Sequence, residues 1–83
     1  MMEQEQIFAE VVKILKPYVK NEAALTGISE DTHILDDLKV NSARLVDIII
    51  KCEDVFSIEI DDDDADTIRT IGDAVSVVKK KLN

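Results

Sequence analysis

Cysteine occurs once in this 83-residue chain, proline once, glycine twice and tryptophan not at all. The lone Cys52 excludes an internal disulfide and a multi-cysteine metal site; set among Ile48, Ile49, Ile50 and Val55, it reads as a core thiol. Gly27 and Gly72 stand apart, so there is no glycine-rich phosphate loop. Basic residues are outnumbered ten to eighteen, and the net charge of −8 disfavours nucleic acid and anionic lipid while favouring partners with Lys/Arg patches. No apolar run approaches the length of a membrane span, so no membrane insertion is expected. Residues Met1 to Gln6 are polar and acidic where a secretory leader would be basic and then apolar. A reduced, cytoplasmic, monomeric protein is expected, with residues 1–83 forming one domain too small for an enzyme with a deep pocket of its own.

What is present is a periodic apolar pattern. Ile7, Phe8, Val11, Val12, Ile14, Leu15, Tyr18 and Val19 recur at three- and four-residue spacing. This predicts an amphipathic first helix from about Glu3 towards Tyr18, kinked or ended near Leu15 by Pro17. From Lys20 to Val40 the periodicity fades. Asn21, Thr26, Gly27, Ser29, Asp31 and Thr32 supply turn and cap chemistry there, and Ile28, Ile34, Leu35 and Leu38 are spaced to pin a long ordered loop to the core. Asn41 or Ser42 then caps a second helix, with Leu45, Ile48, Ile49, Cys52, Val55 and Phe56 as its inward stripe and an end near Phe56.

Ser57 to Ile60 is too short for a lasting strand pair and has no partner strand, so it reads as a loop that packs Ile58 and Ile60 inward. Asp61 to Ile68 predicts a short third helix with carboxylates in its first turn. Thr70 and Asp73 resemble a capping box for a last helix whose stripe is Ile71, Ala74, Val75, Val78 and Leu82, with Lys79, Lys80 and Lys81 at its negative end. The expected fold is all-α: a small four-helix bundle with a short third helix and a long loop between the first two.

Ser42 stands at the start of a helix, after a loop and beside a capping asparagine, with Ala43 and Arg44 before the apolar stripe begins. A hydroxyl there faces water, and a phosphodiester on it would meet unpaired N–H groups and the positive end of the helix dipole. The plainer alternative is that Asn41 and Ser42 only cap the helix. The run Asp61 to Asp64 fails as a calcium loop: counting from Asp61 puts Asp66 where glycine is needed and Gly72 where a bidentate glutamate is needed. His33 has no Ser/His/Asp pattern around it, so it reads as a loop or core-edge histidine, and no catalytic residues are assigned.

The segment from Ile34 to Asp47, with Asp36-Asp37-Leu38-Lys39-Val40-Asn41-Ser42-Ala43, resembles the acyl carrier protein signature, in which an acidic-Leu-Gly stretch leads into Asp-Ser-Leu. Glu53-Asp54-Val55-Phe56-Ser57-Ile58 resembles the family's acidic-acidic-x-Phe run with its following isoleucine, and Ala65 to Val75 its passage from third to fourth helix. The resemblance implies a non-enzymatic carrier. Ser42 would receive phosphopantetheine from coenzyme A in a magnesium-dependent transfer by a phosphopantetheinyl transferase. The arm's terminal thiol would then hold acyl intermediates as thioesters for the enzymes of fatty acid, lipid or polyketide-like biosynthesis.

The chain departs from that signature at Lys39 for glycine, Asn41 for aspartate, Ala43 for leucine and Arg44 for a commonly acidic residue. These departures imply a dedicated transferase or inefficient modification. By the same resemblance, acyl-loading, condensing and acyl-transferring enzymes with basic patches would dock on the second helix. Asn41, Ala43, Arg44, Asp47, Glu53 and Asp54 would serve in recognition, with Arg44 and Lys51 diluting the acidic face. Cargo would lie between Leu45, Ile49 and Phe56 on one side and Ile68, Ile71 and Val75 on the other. Few aromatics, Phe8, Phe56 and Tyr18, leave a core able to part without displacing large rings. A peptidyl or aminoacyl carrier, or an unmodified helical interaction domain, remains an alternative.

Overall fold

A computed structural model describes residues 3–20 and 22–82; Met1, Met2, Asn21 and Asn83 lie outside the described residues. Four α-helices form the bundle: α1 (Gln4–Leu15), α2 (Ser42–Phe56), α3 (Asp62–Asp66) and α4 (Ile71–Leu82). At the start of α1 the Gln6 side chain accepts a 2.8 Å bond from the Glu3 N–H. The helix stops at Leu15 because Pro17 cannot donate to the next turn, and Lys16–Tyr18 tightens into a 3-10 turn. A second 3-10 turn, Glu22–Leu25, breaks the long loop that follows.

The core collects one stripe from each long helix. Ile7, Val11, Ile14 and Leu15 of α1 meet Ile48, Cys52 and Phe56 of α2 and Ile71, Ala74, Val75, Val77 and Val78 of α4. Ile34, Leu38 and Val40 pin the loop, and Ile68 closes the end beside α3. Burial holds Cys52 in its thiol form, with a pKa raised to about 11 by desolvation and then by the charge of Glu53.

Two residues expected to face inward do not. Val55 is 43% exposed, because α1 ends before it could cover that edge of α2. Leu35 is 37% exposed, because the turn that accepts the Asp37 and Leu38 N–H groups on the His33 carbonyl carries Ile34 and Leu38 inward and leaves Leu35 outside.

The third helix is shorter than the sequence predicts and none of its residues is buried. Charge holds it instead: Lys81 Nζ lies 2.7 Å and Lys80 Nζ 3.3 Å from the Asp64 carboxylate, and Lys81 Nζ is 3.8 Å from Asp61. Those lysines keep the Asp64 carboxyl below its usual range, and Asp64 in turn raises Lys81. The predicted cap of α4 is present in both directions, Thr70 N–H to Asp73 Oδ2 and Asp73 N–H to Thr70 Oγ1, each at 3.0 Å.

No strand occurs among the described residues, but one antiparallel bridge joins His33 to Thr70. Around it the Ile34 N–H donates to the Arg69 carbonyl and the Ile71 N–H to the Thr32 carbonyl, each at 3.0 Å, which ties the long loop to the start of α4.

Candidate functional site

The approach to α2 is shaped by Lys39, which adopts a left-handed conformation at φ 58° between buried Leu38 and Val40. That turn lets both flanking side chains reach the core while the chain reverses towards the helix. A residue with a Cβ is strained there by about 1 kcal/mol, and glycine is not. Lys39→Gly is therefore expected to raise stability by roughly 0.5–1 kcal/mol, a few degrees in Tm, while Lys39→Ala keeps the strain and gains nothing. Thermal melts of the two variants decide it.

Asn41, in extended conformation, caps α2 by accepting the Arg44 N–H on Oδ1 at 2.9 Å. This resolves the choice of cap in favour of Asn41 and makes Ser42 the first helical residue. Ser42 is exposed, and no described residue bonds its hydroxyl. The N–H groups of Ser42 and Ala43 belong to the unpaired first turn, which holds no acidic residue. A free hydroxyl, two spare donors and an uncompensated helix dipole suit an attached phosphodiester, so the residues present fit a phosphopantetheine group.

Around Ser42 the recognition residues divide. Arg44 turns its guanidinium to Asp47 at 3.6 Å, so the pair carries little net charge outward. Glu53 is half-buried and its Oε2 accepts the Ile60 N–H at 2.8 Å, which fastens the loop before α3 to α2. Asp54 is exposed without an ion pair among the described residues. Two apolar neighbours were missed in the sequence: Val46, 56% exposed, and Ile50, 50% exposed, four residues apart on the same face of α2. Their signal was available, since the i, i+4 pair lies outside the inward stripe.

All six residues expected to line a cargo path belong to one core. Phe56, Ile68, Ile71 and Val75 are buried, while Leu45 and Ile49 sit half-buried at its edge. An open groove lined by His33, Leu35, Asp36 and Arg69 reaches Ile68 from outside. His33 is exposed and donates its backbone N–H to Asp37; no nucleophile stands with it.

Residues 5–78 match the family model described as the phosphopantetheine attachment site. The acyl carrier protein of Lactobacillus acidophilus is 38% identical over 94% of this chain and 95% of its own length. The chain belongs to the acyl carrier protein family. A relative of the same name from Thermotoga maritima is 34% identical over 99% of both chains. The solved structure of the acyl carrier protein from Enterococcus faecalis overlays with a TM-score of 0.77 at 31% identity, covering 96% of this chain and 99% of that one. Membership brings the phosphopantetheine group as a covalent cofactor and places the chain in a family of carriers. Among the described residues, no helix is long and apolar enough to cross a membrane.

Proposed function

We propose that this acyl carrier protein holds its phosphopantetheine on Ser42 Oγ and delivers acyl groups to cytoplasmic biosynthetic enzymes that dock on the outer face of α2. The observation that carries the assignment is the free, exposed Ser42 hydroxyl in an uncompensated helix first turn behind the Asn41 cap. Bound there, the group supplies a terminal thiol on which the acyl cargo rides as a thioester. The protein's own part is to present the serine oxygen, tether the cargo and offer a surface to successive enzymes. Val46 and Ile50 provide the apolar contact, with the unpaired Asp54 at its rim for basic residues of the partner.

Incubation with coenzyme A, magnesium and a phosphopantetheinyl transferase should add one group per chain, and peptide mapping should place it on Ser42. Transfer by no general or dedicated transferase, or transfer to another residue, would sink the proposal.

The cargo itself has a place to go. Each methylene withdrawn from water contributes about 0.8 kcal/mol, so a chain of some eight carbons offers roughly 6 kcal/mol against the cost of parting a closed core. Entry past the half-buried Leu45 and Ile49 into the core that holds Phe56 and Ile68 would displace mostly aliphatic side chains. Melting temperature is expected to rise with acyl length, with NMR shifts at Ile68, Ile71 and Val75. Shifts confined to Ser42 and its neighbours would mean that cargo stays outside.

A further inference from the structure

The ten basic residues divide into paired and unpaired ones. Arg44, Lys80 and Lys81 are held in ion pairs, whereas Lys13, Lys16, Lys20, Lys39, Lys51, Arg69 and Lys79 are exposed with no ion pair to a described residue. Lys13 of α1 and Lys51 of α2 line one open groove together with Ile14, Pro17, Tyr18 and Val55. Glu10 is the groove's one acidic lining residue. This groove exists because Pro17 ends α1 early, which leaves the Val55 side chain 43% exposed at an edge that a longer helix would have covered.

Position on α2 separates this groove from the arm. Lys51 is nine residues beyond Ser42, half a turn around the helix and about 13 Å along it. Val46 and Ile50 therefore lie on one exposed side of α2, and Lys51 and Val55 on the side next to α1.

We propose that the α1/α2 groove is a second docking site, and that its occupant is an acidic peptide segment of a partner protein that places an apolar side chain against Tyr18 and Val55 between carboxylates paired to Lys13 and Lys51. The choice of an acidic partner follows from charge. On a chain of net charge −8, a groove lined by two unpaired lysines and one glutamate attracts an anionic segment locally, and here, beside those charges, burial of Val55 and the Tyr18 ring adds an apolar contribution. The site does not depend on the modification of Ser42, so carrier function and groove binding are separable.

Tyr18 is the sole tyrosine and there is no tryptophan, so intrinsic fluorescence reports from inside the groove. A random-peptide phage library selected on the wild-type protein should enrich sequences with Asp or Glu on both sides of an apolar residue. Synthetic versions should change Tyr18 fluorescence, shift the amides of Lys13, Lys51 and Val55 in NMR, and bind wild type and Ser42→Ala equally. The double variant Lys13→Gln/Lys51→Gln should weaken binding by about tenfold or more, and Val55→Asn, which leaves both charges, should weaken it separately. The proposal is overturned if no acidic peptides are enriched, if selected peptides are basic and map to Asp54 and Asp47, if the variants bind as wild type does, or if the groove amides shift with protein concentration alone, which would assign the face to a second copy of the chain.

Discussion

Ser42→Ala is expected to give a protein that folds as the wild type does and accepts no phosphopantetheine from any transferase. Two independent features of the site make the loss complete. The serine oxygen is the atom that becomes the ester oxygen, and the rest of the α2 first turn, Ala43 and Arg44, has no hydroxyl to replace it. Stability is spared because the hydroxyl bonds no described residue, alanine is a good helix former at a first-turn position, and the capping bond from the Arg44 N–H to Asn41 Oδ1 remains. Stability within about 0.5 kcal/mol of wild type is therefore expected, whereas Asn41→Ala, which removes the cap, should cost about 1 kcal/mol. Intact mass after incubation with coenzyme A, alongside a thermal melt, reads both quantities. An alanine variant that still gains the group would place the attachment elsewhere, and one that unfolds would show that the hydroxyl has a structural partner.

Helices were legible in the sequence because their burial is one-sided: the stripes of α1, α2 and α4 recur at helical spacing, and Pro17 marks the end of α1 in chemistry as well as in structure. The attachment serine was legible by a different route. Position at a helix start allowed either a cap or a modified serine, and the surrounding signature was needed to choose. What the sequence left unread depends on neighbours that periodicity does not report. Val55 lies three residues after Cys52 and satisfies the inward pattern, but whether it is covered depends on where another helix stops. Glu53 counts as surface charge in a sequence, yet its carboxylate is committed to the Ile60 N–H. The Lys80 and Lys81 ammonium groups suit a helix C-terminus, and only the tertiary arrangement shows that they also hold α3 by Asp64. The His33–Thr70 bridge is made by backbone groups over too few residues to impress a pattern on side chains.

That bridge sets the second large effect, the expected collapse of stability in Gly72→Ala. Gly72 sits at the start of α4 with its N–H donated to the Glu30 carbonyl at 2.9 Å. A Cβ built on it would lie 2.8 Å from the Glu30 carbonyl oxygen and 2.9 Å from the Glu30 Cβ, closer than such atoms approach. The obstacle includes backbone, so a rotamer change cannot relieve it and the loop must move away. Moving it lengthens the Gly72-to-Glu30 bond and strains the adjacent bonds from Ile71 to Thr32 and from Ile34 to Arg69, whose side chains include two of the most buried residues in the core, Ile34 and Ile71. Overpacking of this kind and one weakened hydrogen bond together cost about 2–3 kcal/mol, or roughly 10–20 °C in Tm for a domain of this size. Gly27→Ala is the control: Gly27 has a positive φ of 73° with no atom within 4 Å of its would-be Cβ, so it carries the conformational penalty alone, about 1 kcal/mol. Equal melting temperatures for the two variants would show that the loop yields freely to the added methyl. A larger loss at Gly72 would place the seat of Glu30 on α4 among the contacts that keep the long loop closed over Ile71, one of the residues against which the acyl chain is proposed to pack.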